Sequence, residues 1–356
     1  MKALTLIENG VLKYQDVPDP VVADDECLIA VKSCGICNSD IFRAYNKGAY
    51  FYPLIMGHEF SGLVKETGRT AQKFKPGDRV AVFPLLPCKT CEFCLKESYA
   101  QCTNYDYYGS RRDGAFAQYI SIKEWNLLKI HDGLDYAAAA LSEPVAVAIH
   151  AVRKMKLNKN DSVAVIGAGV IGLSCALFLS KKLDPAHIYI IDRNDPKLEV
   201  AGSFGINVIN ARQNSNWAEE LIKKSGGGLT HVIEACGAVE TFRDSLSIVR
   251  AHGNVLWVGN IHNDLNIPKS MVSSVLRKEV SIFGVWNSAY QHSPEDDWHY
   301  ALDFIRSNDV IKELITDKVK LENGEAVFEA MYQRKTGSSG SARNNKANIK
   351  TMFVFE

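Results

Sequence analysis

The sequence has no excess of either charge. Lys and Arg number 41 and Asp and Glu number 41 in 356 residues, a formal net charge of +0. That excludes strong global attraction to nucleic acid or to an anionic membrane, and neither is expected as a partner. The opening stretch MKALTLIENGVLKYQDVPDP lacks the long apolar core and small-residue cleavage site of a secretory signal, so a cytoplasmic location is expected. With 11 Pro and 25 Gly the chain is neither low-complexity nor collagen-like. No internal repeat is visible. An even cysteine count is missing as well: there are 9 cysteines, and without a secretory signal a disulfide framework is not expected. Long uncharged runs are scarce. The one that mimics a membrane span, residues 162–180 (SVAVIGAGVIGLSCALFLS), contains Gly167, Gly169 and Gly172 and reads as a buried strand, a tight turn and a helix.

The length suits two domains, each able to bury its own core. Up to about residue 150 the chain shows short alternating runs (ECLIAVKSCG, FSGLVKETG, DRVAVFPL) punctuated by Gly and Pro, the pattern of a β-rich domain. An apolar linking helix is expected over Leu141–Val152. Beyond residue 160, SVAVIG, HIYIID, NVINA, THVIEAC, NVLWVG and SIFGVW are β-rich runs separated by helical stretches, which predicts a parallel α/β sheet. Helices are expected over Asp296–Ser307 and Gly324–Tyr332, a polar loop over Lys335–Ala347 and a closing strand in NIKTMFVF.

Gly167-Ala168-Gly169-Val170-Ile171-Gly172 follows a strand and opens a helix, and Asp192 ends the next strand 20 residues on. This is the context of a dinucleotide site. Gly167 allows the turn, Gly169 admits the pyrophosphate, and Gly172 lets helix and strand approach, while the helix N-terminus faces the anion. Asp192 can accept hydrogen bonds from the ribose hydroxyls and repels a 2′-phosphate, which favours NAD over NADP. Arg193 argues the other way, since an Arg there can accommodate that phosphate. The bland reading is a packing motif without cofactor.

Cys88, Cys91, Cys94 and Cys102 lie in one loop, a set suited to a closed tetrahedral structural zinc. The gap before Cys102 does not match the ferredoxin run that holds an iron–sulfur cluster. A looser set, Cys37, His58, Glu59 and Glu143, offers mixed sulfur, nitrogen and oxygen ligands suited to a catalytic zinc with an open position. Each member also has an ordinary structural role available: buried thiol, core histidine, paired acid, helix N-terminal acid.

Together, Cys37-Asn38-Ser39-Asp40, Gly57-His58-Glu59, the four-cysteine loop, Glu143-Pro144 and GAGVIG resemble the ordered motifs of the zinc-dependent medium-chain dehydrogenases, over nearly the whole chain. Glu143-Pro144 is similar to the polyol dehydrogenase branch, where alcohol dehydrogenases have Cys. The resemblance implies an α/β plus β fold: a GroES-like catalytic domain at 1–151 with a zinc lobe at 85–105, a Rossmann NAD-binding domain at 152–286, and a return to the catalytic domain at 287–356. It implies two zinc ions per chain, NAD, and a homodimer or homotetramer. Cys37 and His58 would ligate the catalytic zinc, with Glu143 the first choice for third ligand and Glu59 its competitor. Asp40 would orient His58, Cys34 receives no ligand role, and Ser39 would take up the substrate proton. Asn38 and Phe42 depart from the family pattern, which leaves the pyrophosphate contact and the proton exit unassigned.

The long match PLLPCKTCEFCLKESYAQC with NYDYYGSRRDGAFAQY implies a polyol phosphate substrate, galactitol 1-phosphate oxidised to tagatose 6-phosphate. Arg43, Lys47, Arg111 and Arg112 are the candidates for a phosphate clamp. The rivals are a sorbitol- or L-iditol-type enzyme on an unphosphorylated polyol, a pentitol-phosphate dehydrogenase, and a non-catalytic zinc- and NAD-binding redox sensor.

Overall fold

The computed structural model describes residues 1–336 and 347–356. The chain divides into two units. The first takes in Met1–Glu143, the described residues from Ala289 to Thr336, and Lys350–Glu356; the second takes in Pro144–Ser288 and the described residues 347–349. The first division falls before 151 because the helix Ser142–Arg153 packs with the second unit, where the Cys175 thiol donates to the Ala148 carbonyl. The second falls at Ser288 rather than 286.

The first unit is built on Glu26–Gly35, a strand buried along most of its length. It pairs antiparallel with Glu59–Thr67, with Tyr119–Lys123 and with the C-terminal strand Lys350–Val354. Arg79–Val82, Leu127–Lys129 and Ile315–Lys320 extend this sheet to seven strands. A three-stranded sheet is formed by Val11–Asp16, Lys2–Glu8 and Leu54–Ile55. Phe116 packs edge-on against Phe328 and Phe353, with ring centroids 5.7 and 5.0 Å away, and so ties residues distant in sequence into one core. Asp296 caps the helix Asp297–Ser307 by accepting the N–H groups of Trp298 and His299.

The second unit is a six-stranded, all-parallel sheet. Its order is Asn207–Asn210, Ile188–Asp192, Val163–Ile166, Leu229–Glu234, Val249–Trp257, Ser281–Gly284, or 3-2-1-4-5-6 in chain sequence. This is the doubly wound Rossmann order. The uncharged run at 162–180 becomes the buried strand Val163–Ile166 and the helix Val170–Leu179. No helix among the described residues is long and apolar enough to cross a membrane.

One element ends later than its sequence suggests. The helix expected to stop at Tyr332 continues to Thr336, so Lys335 and Thr336 are helical. Neither residue breaks a helix, and Thr336 Oγ1 returns to the Tyr332 carbonyl. The remainder of the expected Gly/Ser-rich loop, residues 337–346, lies outside the described residues.

Candidate active site and metal centres

Sheet register brings the catalytic candidates together. Gly35 lies directly opposite Glu59, and Met352 lies opposite Gly35 on the other side. A Cβ on Gly35 would overlap Glu59 Oε2, so only glycine leaves room for that carboxylate. Cys37 follows at the N-cap of the short helix Asn38–Phe42, and His58 immediately precedes the strand Glu59–Thr67. Ligand atoms of Cys37, His58 and Glu59 all lie within 4.8 Å of one another.

Asp40 orders this set. Fully buried, it accepts the Cys37 N–H at 3.0 Å through Oδ2 and faces His58 Nδ1 at 3.4 Å through Oδ1. Burial opposes its ionisation, but His58, Arg43 and the Cys37 N–H outweigh burial and hold the carboxyl below its usual range. Ser39 occupies the first turn of the same helix and is half-buried.

Glu143 stands outside the three-ligand set. Its Oε1 lies 3.3 Å from the Tyr107 hydroxyl, which donates to it, and burial pushes its carboxyl up to about 7. Tyr107 in turn packs edge-on to His58, 5.8 Å between ring centroids. The first choice for third ligand, Glu143, is thus not among the converging donors, and its competitor Glu59 is. Adjacent strands bring Glu59 into reach of Cys37 and His58, whereas Glu143 enters from a helix and meets Tyr107 first.

Sequence reasoning missed two participants. Lys350, 3% exposed, donates to both carboxylate oxygens of Glu59 at 2.8 and 2.5 Å and to the Ile36 carbonyl at 3.1 Å. The available signal was that Lys350 is the one charge in NIKTMFVF. Tyr107 had no signal beyond its place in an aromatic run.

The four thiols of Cys88, Cys91, Cys94 and Cys102 also lie within 4.8 Å of one another. Backbone amides point at the sulfurs: the Cys88 N–H reaches Cys102 Sγ at 3.2 Å, and the Cys91 N–H reaches Cys88 Sγ at 3.4 Å. Donors of this kind favour thiolates; amides of Thr103 and Cys94 draw the Cys91 thiol down to about 6, while burial pushes Cys94 up to about 12. All nine cysteines are free. Four sulfurs with no remaining position fit a closed zinc site, and the mixed set fits an open one.

In the second unit Gly167 has φ +108°, and a Cβ on Gly172 would overlap the Gly167 carbonyl oxygen. At Gly169, by contrast, an added Cβ would meet nothing within 4 Å, which leaves space for a pyrophosphate over the helix that begins at Val170 and Ile171. Asp192 accepts the N–H groups of Ala168 at 2.7 Å and of Arg193 at 2.7 Å. Its carboxylate is thereby oriented, with acceptor capacity left over. The Arg193 side chain is exposed.

The four phosphate candidates differ in their surroundings. Arg43 Nε is buried without a hydrogen-bond partner and begins the wide helical turn Arg43–Lys47. Arg112 Nε pairs with Asp106 at 3.1 Å, and its guanidinium lies 5.3 Å from the buried Tyr108 ring. Arg111 lies 4.9 Å from the Tyr50 ring centroid and 4.3 Å from that of Tyr105. Lys47 lies 6.0 Å from the Tyr50 ring.

Comparison with known proteins agrees with the two-unit fold. Residues 23–132 match the alcohol dehydrogenase GroES-like domain and residues 171–307 match the zinc-binding dehydrogenase family. Galactitol 1-phosphate 5-dehydrogenase of Escherichia coli (strain K12) is 34% identical over 306 residues, covering 85% of this chain and 87% of that protein. Sorbitol dehydrogenase of Bacillus subtilis (strain 168) is 32% identical over 342 residues, covering 94% of each. The crystal structure of galactitol-1-phosphate dehydrogenase from Escherichia coli superposes with a TM-score of 0.86 at 29% identity, covering 100% of both chains. With a GroES-like unit, a Rossmann unit and both cysteine-containing donor sets in the expected order, the chain belongs to the zinc-dependent medium-chain dehydrogenases, oxidoreductases that act on CH–OH groups.

Proposed function

We propose that this enzyme oxidises a secondary hydroxyl of a polyol phosphate to the ketone, with NAD as hydride acceptor; the favoured reaction is galactitol 1-phosphate to tagatose 6-phosphate. The observation that carries the reading is the convergence of Cys37, His58 and Glu59 within 4.8 Å, three donors of different chemistry with a fourth coordination position to spare. Zinc there supplies Lewis acidity toward an alcohol oxygen, and NAD supplies the hydride acceptor. The closed four-thiolate set holds a second, structural zinc.

The chain's own residues do the rest. Asp40, 3.4 Å from His58 Nδ1, would orient the His58 ring. Lys350 offsets the charge of Glu59 and sets its rotamer. Ser39, in the turn after Cys37, receives the substrate hydroxyl proton. Glu143, hydrogen-bonded to Tyr107 and pushed up to about 7 by burial, holds or releases a proton near neutral pH. In the Rossmann unit, the oriented Asp192 carboxylate favours NAD by repelling a 2′-phosphate.

The polyol phosphate reading draws on the likeness to galactitol 1-phosphate 5-dehydrogenase, and the sorbitol dehydrogenase relative supports the unphosphorylated alternative. NADH formation measured across galactitol 1-phosphate, a pentitol phosphate, galactitol and sorbitol separates them. Galactitol 1-phosphate is expected to give the highest kcat/KM. A higher value for sorbitol or galactitol would reject the phosphate and leave a sorbitol-type enzyme.

A further inference from the structure

Of the four candidate cations, two have a commitment elsewhere. Arg112 is paired with Asp106 and packed over Tyr108. Arg43 lends its charge to buried Asp40, and its Nε is itself buried. Lys47 and Arg111 differ from both. They come from separate segments, yet both lie against the ring of Tyr50, at 6.0 and 4.9 Å. Neither has a carboxylate partner among the described residues. Two cations drawn to one ring repel each other. The negative π faces of Tyr50 and Tyr105 relieve part of that repulsion, and a bound anion would relieve the rest.

The surroundings suit a ligand. Tyr50 is 62% exposed, and Phe51 and Tyr52 beside it are also exposed, so the ring carrying the two cations is open to solvent. Arg111 Nη1 reaches the Tyr105 carbonyl at 3.4 Å, which steadies the guanidinium while leaving other N–H groups free. From Tyr105 the contacts run inward. Tyr105 packs edge-on to Tyr107 at 6.5 Å, and Tyr107 packs on His58 at 5.8 Å. One aromatic ladder thus joins the cation pair to the metal-ligating histidine.

We propose that Lys47 and Arg111, gathered on Tyr50, form the subsite for the phosphate of the substrate, and that Arg43 and Arg112 lie outside it. Arg111 supplies a planar pair of donors to a phosphate monoester and Lys47 a point charge. The proposal rests on the polyol phosphate reading and makes Arg111 and Lys47 the residues that separate phosphorylated from neutral polyols.

The test is the ratio of kcat/KM for galactitol 1-phosphate to that for galactitol, measured on one preparation of each variant so that any loss of folded enzyme cancels. In Arg111→Met the ratio is expected to fall about ten- to a hundredfold, with partial recovery in Arg111→Lys. Lys47→Met should lower it in the same direction. Inorganic phosphate, used as a competitive inhibitor of galactitol oxidation, should weaken in parallel. An unchanged ratio in Arg111→Met and Lys47→Met, with loss in Arg43→Met or Arg112→Met, would overturn this subsite and leave the substrate reading standing. A wild-type enzyme that prefers galactitol would overturn the substrate reading and the subsite with it.

Discussion

At the scale of single residues, the contest between Glu59 and Glu143 shows how neighbours assign roles to identical side chains. Both are buried carboxylates near Cys37 and His58. Glu59 faces a buried ammonium group, Lys350, which donates to both of its oxygens; a charge left unpaired there would be costly. Glu143 faces the Tyr107 hydroxyl, and burial pushes it up to about 7, a group that can carry a proton. The carboxylate whose oxygen converges with Cys37 and His58 is the one placed to hold a metal. Glu59→Ala is therefore expected to leave about one zinc per chain after gel filtration, whereas Glu143→Ala stays closer to two and loses mainly turnover. Metal analysis of the two purified variants decides it, and a greater zinc loss in Glu143→Ala would reverse the assignment.

At the scale of elements, three neighbouring parallel strands are joined by a largely buried polar cluster. His231 on Leu229–Glu234 meets Asp161, just ahead of Val163–Ile166, at 3.1 Å, and Asn254 on Val249–Trp257 at 3.1 Å. Burial lowers the His231 pKa more than Asp161 raises it, so the folded chain resists protonation there. The unfolded chain takes up that proton first, near the ordinary value of about 6.5. The stability from neutral His231 is thus present above that value and lost as pH falls through the lowered folded value. Asp161 is also held below its usual range, despite burial, by the Asn158 N–H and by His231, and its contribution is lost at still lower pH. The thermal midpoint should drop between about pH 7.5 and 5.5, and the drop should be smaller in His231→Gln. Scanning calorimetry of both proteins checks this, and equal drops would remove His231 from the explanation.

At the scale of the whole molecule, the two donor sets should behave as different metal sites. The four thiolates leave no open position and are tied to the fold of residues 88–102, whereas Cys37, His58 and Glu59 leave one position free. Mild chelation is expected to remove about one zinc and the activity while circular dichroism is unchanged; harsher removal should unfold the 88–102 loop. Loss of both ions together, or a content of one after metal-replete purification, would contradict the pair of sites. What could be read from the sequence alone was everything written in short-range spacing. The glycine fingerprint, the acid ending the next strand, the four-cysteine loop and the strand–helix alternation are local, because a turn, a loop or a strand constrains residues within a few positions of one another. The helix end at Thr336 was missed because propensity there is weak. The convergence of Glu59 with Cys37 and His58, the contact of Lys350 with Glu59 and the approach of Lys47 and Arg111 to Tyr50 depend on tertiary structure. Lys350 and Glu59 are 291 positions apart, and only antiparallel register across Gly35 makes them neighbours. The neighbours then distinguish the two buried carboxylates, Lys350 for Glu59 and the Tyr107 hydroxyl for Glu143, and such neighbours are a property of the folded whole rather than of any segment.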